Sequence, residues 1–225
     1  MGSICRNILL SVVLVGVAPA AALTQADVSG CTLARDGAAI GQCSAVIASR
    51  RWMGRDIAWA YFNRGLVYET TGDYVHAIAD FSSAIDNNPG EWKAYSMRGL
   101  CYMRSGDNLR ALDDLNRGLA MTPADLVSLQ DRGDVYAQLG DFDRAIADFD
   151  AVLAVDAGSP HALSDRGFAY FKKGDYPRAL QDLNRAVALD PHDSASLSNR
   201  GDVKLALGDV PGADADYAAA RALRH

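Results

Sequence analysis

Ten charged side chains recur along this sequence with one spacing. Arg64, Arg98, Arg132, Arg166 and Arg200 each precede a glycine. Each is followed, at a constant distance, by an aspartate: Asp80, Asp114, Asp148, Asp182 and Asp216. A row of uncompensated guanidiniums could bind anions, and a row of carboxylates could move protons. The spacing argues for a different role. Arg64 and Asp80 each lie eight residues from Gly72, and the other four pairs flank a glycine in the same way. If the chain reverses as a helical hairpin at that glycine, the two side chains are level at the helix–helix seam. There the planar guanidinium fork matches a carboxylate. The expectation is therefore five structural ion pairs that set register, with modest net stabilisation because burying them costs desolvation.

Little other chemistry is on offer. His76, His161, His192 and His225 fall at unrelated positions and do not converge. There is no G-x-S-x-G, H-E-x-x-H or P-loop, and no Cys–His pair at a familiar spacing. Runs such as "GDFDRAIADFD" lack the glycine and terminal glutamate of an EF-hand loop. The expectation is no enzyme, no catalytic residue, no metal, no cofactor and no small-molecule substrate. A net charge of −6 and the lack of a basic face argue against a nucleic-acid partner.

The elements that must position the charged columns repeat with a period of 34 residues, without gaps, over five copies. "NRGLVYETTGDYVHAIADF" begins at Asn63, and "MRGLCYMRSGDNLRALDDL", "DRGDVYAQLGDFDRAIADF", "DRGFAYFKKGDYPRALQDL" and "NRGDVKLALGDVPGADADY" follow in register. One glycine column runs Gly65, Gly99, Gly133, Gly167 and Gly201. A glycine inside a helix costs about 1 kcal/mol against alanine, so five of them imply a close approach by a facing helix. A column of small residues (Ala77, Ala111, Ala145, Ala179, Ala213) is read as the matching surface, and a column of large ones (Phe81, Leu115, Phe149, Leu183, Tyr217) as core. Gly72 and its four sisters, each followed by Asp, mark a left-handed helix end and the cap of the next helix. Pro89, Pro123 and Pro191 stop the second helix, and Pro160 falls where a helix starts. With apolar residues at helical spacing, the pattern predicts helices at 58–71, 74–87, 92–105, 108–121, 126–139, 142–155, 160–173, 176–189, 194–207 and 210–223.

These columns resemble the tetratricopeptide repeat family over residues 58–225, as repeats 58–91, 92–125, 126–159, 160–193 and 194–225. The resemblance implies an all-α fold, a right-handed α-solenoid of antiparallel helix pairs, with the first helix of each pair lining a concave groove. It also implies a protein-binding scaffold. The Arg and Asp columns depart from the family, whose usual residues there are apolar or aromatic. By the family's geometry the partner-binding groove would present Trp59, Phe62, Leu66, Lys93, Leu100, Met103, Gln130, Asp134, His161, Phe168 and Phe171. Glu69, Ser96, Val127, Ala137, Ser164, Ala195, Ser198, Asp202 and Leu205 share those columns. The alternative is that such side chains pack on neighbouring helices. Relatives that grip the carboxylate-ended tails of chaperones use Lys and Asn at fixed places. Here those places hold Phe62, Leu66, Met97, Val127 and Asp131, so that mode is set aside.

Residues 1–22 read as a secretory signal: Arg6, then the apolar "ILLSVVLVGVA", then small residues in an A-x-A pattern that would place cleavage after Ala20 or Ala22. The alternative is an uncleaved anchor. Export to an oxidising compartment, such as the periplasm, would leave Cys31, Cys43 and Cys101. Cys31 and Cys43 are expected to pair, the alternative being two separate buried thiols. The sisters of Cys101 are Val67, Val135, Ala169 and Val203, which makes it a small core residue. Residues 23–57 are read as a degenerate N-terminal cap, because "AAIGQCSAVIAS" aligns with "HAIADFSSAIDN" at a spacing of 38. The overall expectation is a cell-envelope adaptor with an unidentified protein partner. The alternative is a self-associating structural protein, a possible homodimer through the alanine-rich helix at 210–223.

Overall fold

The computed structural model describes residues 24–33 and 36–223. The expected signal segment lies outside the described residues. The described chain is all helix: α1 (Gln25–Leu33), α2 (Gly37–Ala48), a 3₁₀ turn (Gly54–Ile57), then α3 (Ala58–Thr70), α4 (Tyr74–Asn87), α5 (Trp92–Arg104), α6 (Asn108–Met121), α7 (Leu126–Gln138), α8 (Phe142–Val155), α9 (Pro160–Lys172), α10 (Tyr176–Leu189), α11 (Ser194–Ala206) and α12 (Val210–Ala222). The last ten form five hairpins. No described helix is long and apolar enough to cross a membrane.

The hairpin turn repeats atom for atom. Gly72 has φ +78°, and Gly106, Gly140, Gly174 and Gly208 lie between +78° and +86°. With Gly72 left-handed, its N–H donates to Glu69 O (3.0 Å) and the next N–H, of Asp73, reaches back to Tyr68 O (2.8 Å). These bonds satisfy carbonyls that the helix end would otherwise orphan. The first helix of each pair ends one residue before its expected end, because the residue before the glycine belongs to this cap. Asp73 then accepts from His76 N (3.2 Å) and caps α4; Asp107, Asp141, Asp175 and Asp209 do the same for their helices.

Second helices stop where the residue before proline is forced out of the α region. Asn88 (φ −141°, ψ 85°) and Thr122 (φ −137°, ψ 78°) are two examples. Asp156 adopts the same extended form with no following proline (φ −121°, ψ 82°). There Pro160 instead opens α9 behind the Ser159 cap.

The first glycine column marks the seam of each hairpin. A Cβ on Gly65 would stand 2.8 Å from a Phe81 ring carbon, and on Gly133 2.5 Å from Phe149. The matching partner is thus mainly the large side chain, not the alanine column expected to face it. Leu115 and Leu183 press on Gly99 and Gly167 through branched tips, and there the backbone carbonyls of Ala111 and Ala179 also crowd the glycine. Phe81, Leu115, Phe149 and Leu183 are fully buried.

Each helix packs on the next in sequence. Odd-numbered helices also touch one another (α3 with α5, α5 with α7, α7 with α9, α9 with α11), with no equivalent contact between successive even helices. The odd layer is the closer-set one, so the array curves with α3, α5, α7, α9 and α11 inside. At the front, α2 takes the place of a second helix. Cys43 and Val46 are buried with Ile57 and Ala60, and Cys43 stands at the core position that Phe81 fills one hairpin later. The Cys31 and Cys43 sulfurs are at bonding distance, with Cα atoms 4.6 Å apart.

Candidate functional site

The most regular polar feature is the charged seam. Arg64 Nε donates to Asp80 Oδ2 and Nη2 to Asp80 Oδ1, both at 2.7 Å. The same two-toothed pairing joins Arg98 to Asp114, Arg132 to Asp148, Arg166 to Asp182 and Arg200 to Asp216 at 2.6–2.9 Å. These five aspartates are buried. Hydrogen bonding to the carboxylate holds Arg64, Arg98 and Arg132 charged, above the ordinary guanidinium range.

Spacing alone did not reveal a third partner. The remaining nitrogen, Nη1, crosses to the second helix of the preceding hairpin: Arg98 to Ser82, Arg132 to Asn116, Arg166 to Asp150 and Arg200 to Asn184. Arg64 makes the same bond to Ser44 of α2 at 2.8 Å. Ser44 is the residue that the 38-residue offset aligns with Ser82. Each arginine therefore fastens three helices and joins neighbouring repeats. A tyrosine column lies between these arginines and a second set within each hairpin: Tyr102 is 6.0 Å from Arg98 and 4.5 Å from Arg110, Tyr136 5.9 Å from Arg132 and 4.5 Å from Arg144, and Tyr170 5.9 Å from Arg166 and 4.4 Å from Arg178. With every guanidinium committed, the seam is architecture.

The inner face of the odd helices is where the repeats differ from one another. Trp59 meets Trp52 edge-on at 6.1 Å, and Phe62 meets the buried Phe81 at 5.6 Å. Arg55, Trp59, Phe62, Glu91 and Lys93 line a pocket of about 280 Å³ there. Leu66, Met103 and Phe171 are half-buried against neighbouring core clusters, and Leu100 is half-buried as well. Ser96 and Ser164 do not face the groove. They are 6% and 4% exposed, and Ser96 is hydrogen-bonded to Ser128 at 2.6 Å, because that side of the helix turns toward its neighbour. Lys93 and His161 are exposed.

Further along lies a set of residues of another kind. Gln130 of α7 donates from Nε2 to Asp165 of α9 (2.7 Å) and to Asp134 (3.3 Å). Asp134, Ala137, Gln138, Asp165 and Phe168 line a pocket of about 330 Å³. Burial, together with repulsion from Asp165 and Asp131, pushes the Asp134 carboxyl up to about 8. Burial also pushes Asp131 and Asp165 up to about 6. Among the described residues no Lys, Arg or His lies within ion-pair distance of these three. Asp134 was among the groove residues expected from sequence; Asp131 entered there only as a mismatch to the chaperone-tail mode, and Asp165 was missed. Asp131 and Asp165 stand three residues before Asp134 and Phe168, one turn away on the same helical face, and that spacing was the available signal. They do not belong to the repeating aspartate columns. Among the described residues no group of three His, Cys, Asp or Glu side chains is arranged to hold a metal.

A tetratricopeptide repeat model matches residues 58–91, and a second model of the same description matches residues 131–194. No curated protein matches the chain in sequence. Similar solved structures include MamA (residue 41 to the end) from Desulfovibrio magneticus RS-1. It has a TM-score of 0.69 and 20% identity, with 77% of this chain and 97% of that one covered. A tetratricopeptide repeat protein from Parabacteroides merdae gives 0.70 at 24% identity, covering 79% and 69%. YrrB, described as a tetratricopeptide repeat protein with an unusual peptide-binding site, gives 0.62 at 24%, covering 71% and 80%. These likenesses are of fold, the all-α solenoid, and repeats of this kind are in general scaffolds for protein–protein interaction. With five hairpins in one register, the glycine caps and seams described above, and matches to the family's own models, the chain belongs to the tetratricopeptide repeat family.

Proposed function

We propose that the chain is an exported, non-catalytic adaptor of the cell envelope that holds a segment of another protein against the inner face of its odd helices. One observation carries the reading. The seam columns of glycine, arginine and aspartate are the same in all five repeats, whereas the inner-face columns vary, as in Trp59, Lys93, Val127, His161 and Ala195. A regular frame with one irregular, half-buried face is what selective recognition of an extended or helical segment requires. Export is supported by the signal-like layout of residues 1–22. A Cys31–Cys43 disulfide, for which the sulfur separation speaks, would be at home in an oxidising periplasm.

The test is site-specific photo-crosslinking in periplasmic extract, using mature protein with the probe at Phe168. The control probe stands at Asp113, which is exposed on α6; Asp150 is unsuited because it holds Arg166. A discrete foreign band from Phe168 alone is the expected result. No band beyond the control overturns the groove reading.

The other reading, self-association through the outward face of α12, has less behind it. Where earlier second helices place Ile85, Leu119 and Leu153 against the next hairpin, α12 carries Arg221. Sedimentation of mature protein over a wide concentration range separates the two, since only self-association makes the mass rise.

A further inference from the structure

The inner groove is not uniform in charge, and the difference bears on what it holds. At the α3–α5 end, Arg55 and Lys93 stand beside Trp59 and Phe62. At the α7–α9 position, Asp134 and Asp165 line the pocket with Phe168, and Asp131 is half-buried on the same face of α7. Every buried aspartate of the seam is answered by an arginine at 2.6–2.9 Å. The groove acids are held instead by a neutral amide. Gln130 donates to both Asp134 and Asp165, which draws their oxygens toward one another across two helices while leaving their charge uncompensated. Two carboxylates fixed in this way offer several acceptor positions to one ammonium or guanidinium group. The wall of the same pocket is the Phe168 ring, and its face already attracts a cation from within the chain: Lys172 Nζ lies 5.1 Å from its centre and 5.6 Å from that of Phe171.

We infer that the groove binds a basic amphipathic protein segment, with a Lys or Arg seated between Asp134 and Asp165 and a neighbouring apolar side chain laid on Phe168. The inference rests on the groove-docking reading above and adds the chemistry of the partner. At α3–α5, Arg55 and Lys93 outnumber Glu91, and this excess of the opposite sign gives the segment a direction, its basic part at α7–α9 and its neutral or acidic part at α3–α5. An incoming cation lowers the carboxyl pKa values that burial has raised, so docking releases protons between about pH 6 and 8 and tightens as pH rises through that window. Around the three acids, Arg104 and His161 favour ionisation, while Glu69, Asp125 and Asp193 oppose it.

The test uses fluorescein-labelled amphipathic helical peptides, each about 16 residues or a little over four turns, binding to the full mature chain. One has Lys on its polar face, one has Glu there and one has acetyl-lysine. The expected result is binding of the Lys peptide alone. Converting the acids to Asn (Asp134→Asn with Asp165→Asn) should weaken it about tenfold or more, as loss of a close charge pair does. Asp113→Asn on α6 makes the same kind of charge change away from the groove and should shift it less than about twofold. The Asn pair keeps shape and volume, and circular dichroism checks that it stays folded. If the Glu or acetyl-lysine peptide binds as tightly as the Lys peptide, or the Asn pair binds unchanged, the inference fails. Labelling by the Phe168 crosslinker in those same mixtures would show that groove docking itself survives. If spermine competes as well as the Lys peptide at equal charge, the site answers to small cations and the inference fails in that way.

Discussion

Replacing Arg132 by Met removes the guanidinium from the middle of the charged seam while keeping an unbranched stem of similar length. The stem still covers Tyr136, whose ring lies 5.9 Å from the Arg132 guanidinium carbon. Three hydrogen bonds go: Nε to Asp148 (2.8 Å), Nη2 to Asp148 (2.7 Å) and Nη1 to Asn116 (2.8 Å). Losing the third is cheap, because Asn116 is exposed and water replaces the donor. Losing the first two strands a carboxylate whose side chain is 8% exposed. Breaking a fully buried pair costs about 3–5 kcal/mol. Arg132 is itself 22% exposed, so water reaches the vacated position and the cost falls to about 2–4 kcal/mol. For a chain of this size that lowers Tm by roughly 5–15 °C. Adding Asp148→Leu removes the stranded charge and fills the space with apolar volume, which brings stability back to within about 1 kcal/mol of the parent. Arg132→Lys keeps the charge and loses the fork, for a loss of about 1 kcal/mol. Thermal and urea melts followed by circular dichroism give the three values, with the urea slope reporting whether the repeats still unfold together. If Arg132→Met and Arg132→Met/Asp148→Leu lose the same stability, the aspartate is not stranded by loss of its arginine, and the seam is not a set of ion pairs.

Other outcomes follow from the same geometry. Asp134 keeps its proton to about pH 8 in the folded chain but releases it near pH 4 when unfolded. The folded state therefore binds the extra proton across that window, and stability falls as pH rises through it. Asp134→Asn should thus raise Tm at pH 8.5 by a few degrees, about 1–2 kcal/mol after screening by water in the open groove, and leave it unchanged near pH 4; an equal shift at both pH values would refute this. Gly133→Ala sets a methyl 2.5 Å from the Phe149 ring, so overpacking of about 1–3 kcal/mol should outweigh alanine's helix preference of about 1 kcal/mol, and a gain in Tm would refute the close approach. Cys101 is fully buried and its thiol is pushed up to about 12, chiefly by burial. Oxidised mature protein should therefore show no thiol reactive to Ellman's reagent until denatured, and then one. A fast-reacting thiol in the native state would place Cys101 elsewhere.

Several features of this protein are local and periodic, and these can be read from its one-dimensional order. The helix ends follow from residues with a single conformational use: glycine at φ near +80°, aspartate as a cap, proline after the last turn. Their effects reach only a few residues along the chain. The level placement of Arg64 and Asp80 follows from the same arithmetic, since helices of fixed rise on either side of a fixed turn leave no freedom in register. The alignment of Ser44 with Ser82 was also present in the 38-residue offset, although its meaning, a bond from Arg64, was not.

What only the tertiary structure decided depends on how one helix is rotated against its neighbours. That rotation turned Ser96 and Ser164 into the interface. It made Phe81 and Phe149, not alanines, the partners of the seam glycines. It sent the third nitrogen of each arginine across to the preceding repeat, and it brought Asp134 and Asp165, on helices α7 and α9, under one glutamine. A periodic sequence specifies each repeat up to a rotation about its own helix axes. The packing of large side chains between repeats removes that last freedom, and with it decides which columns look into the groove.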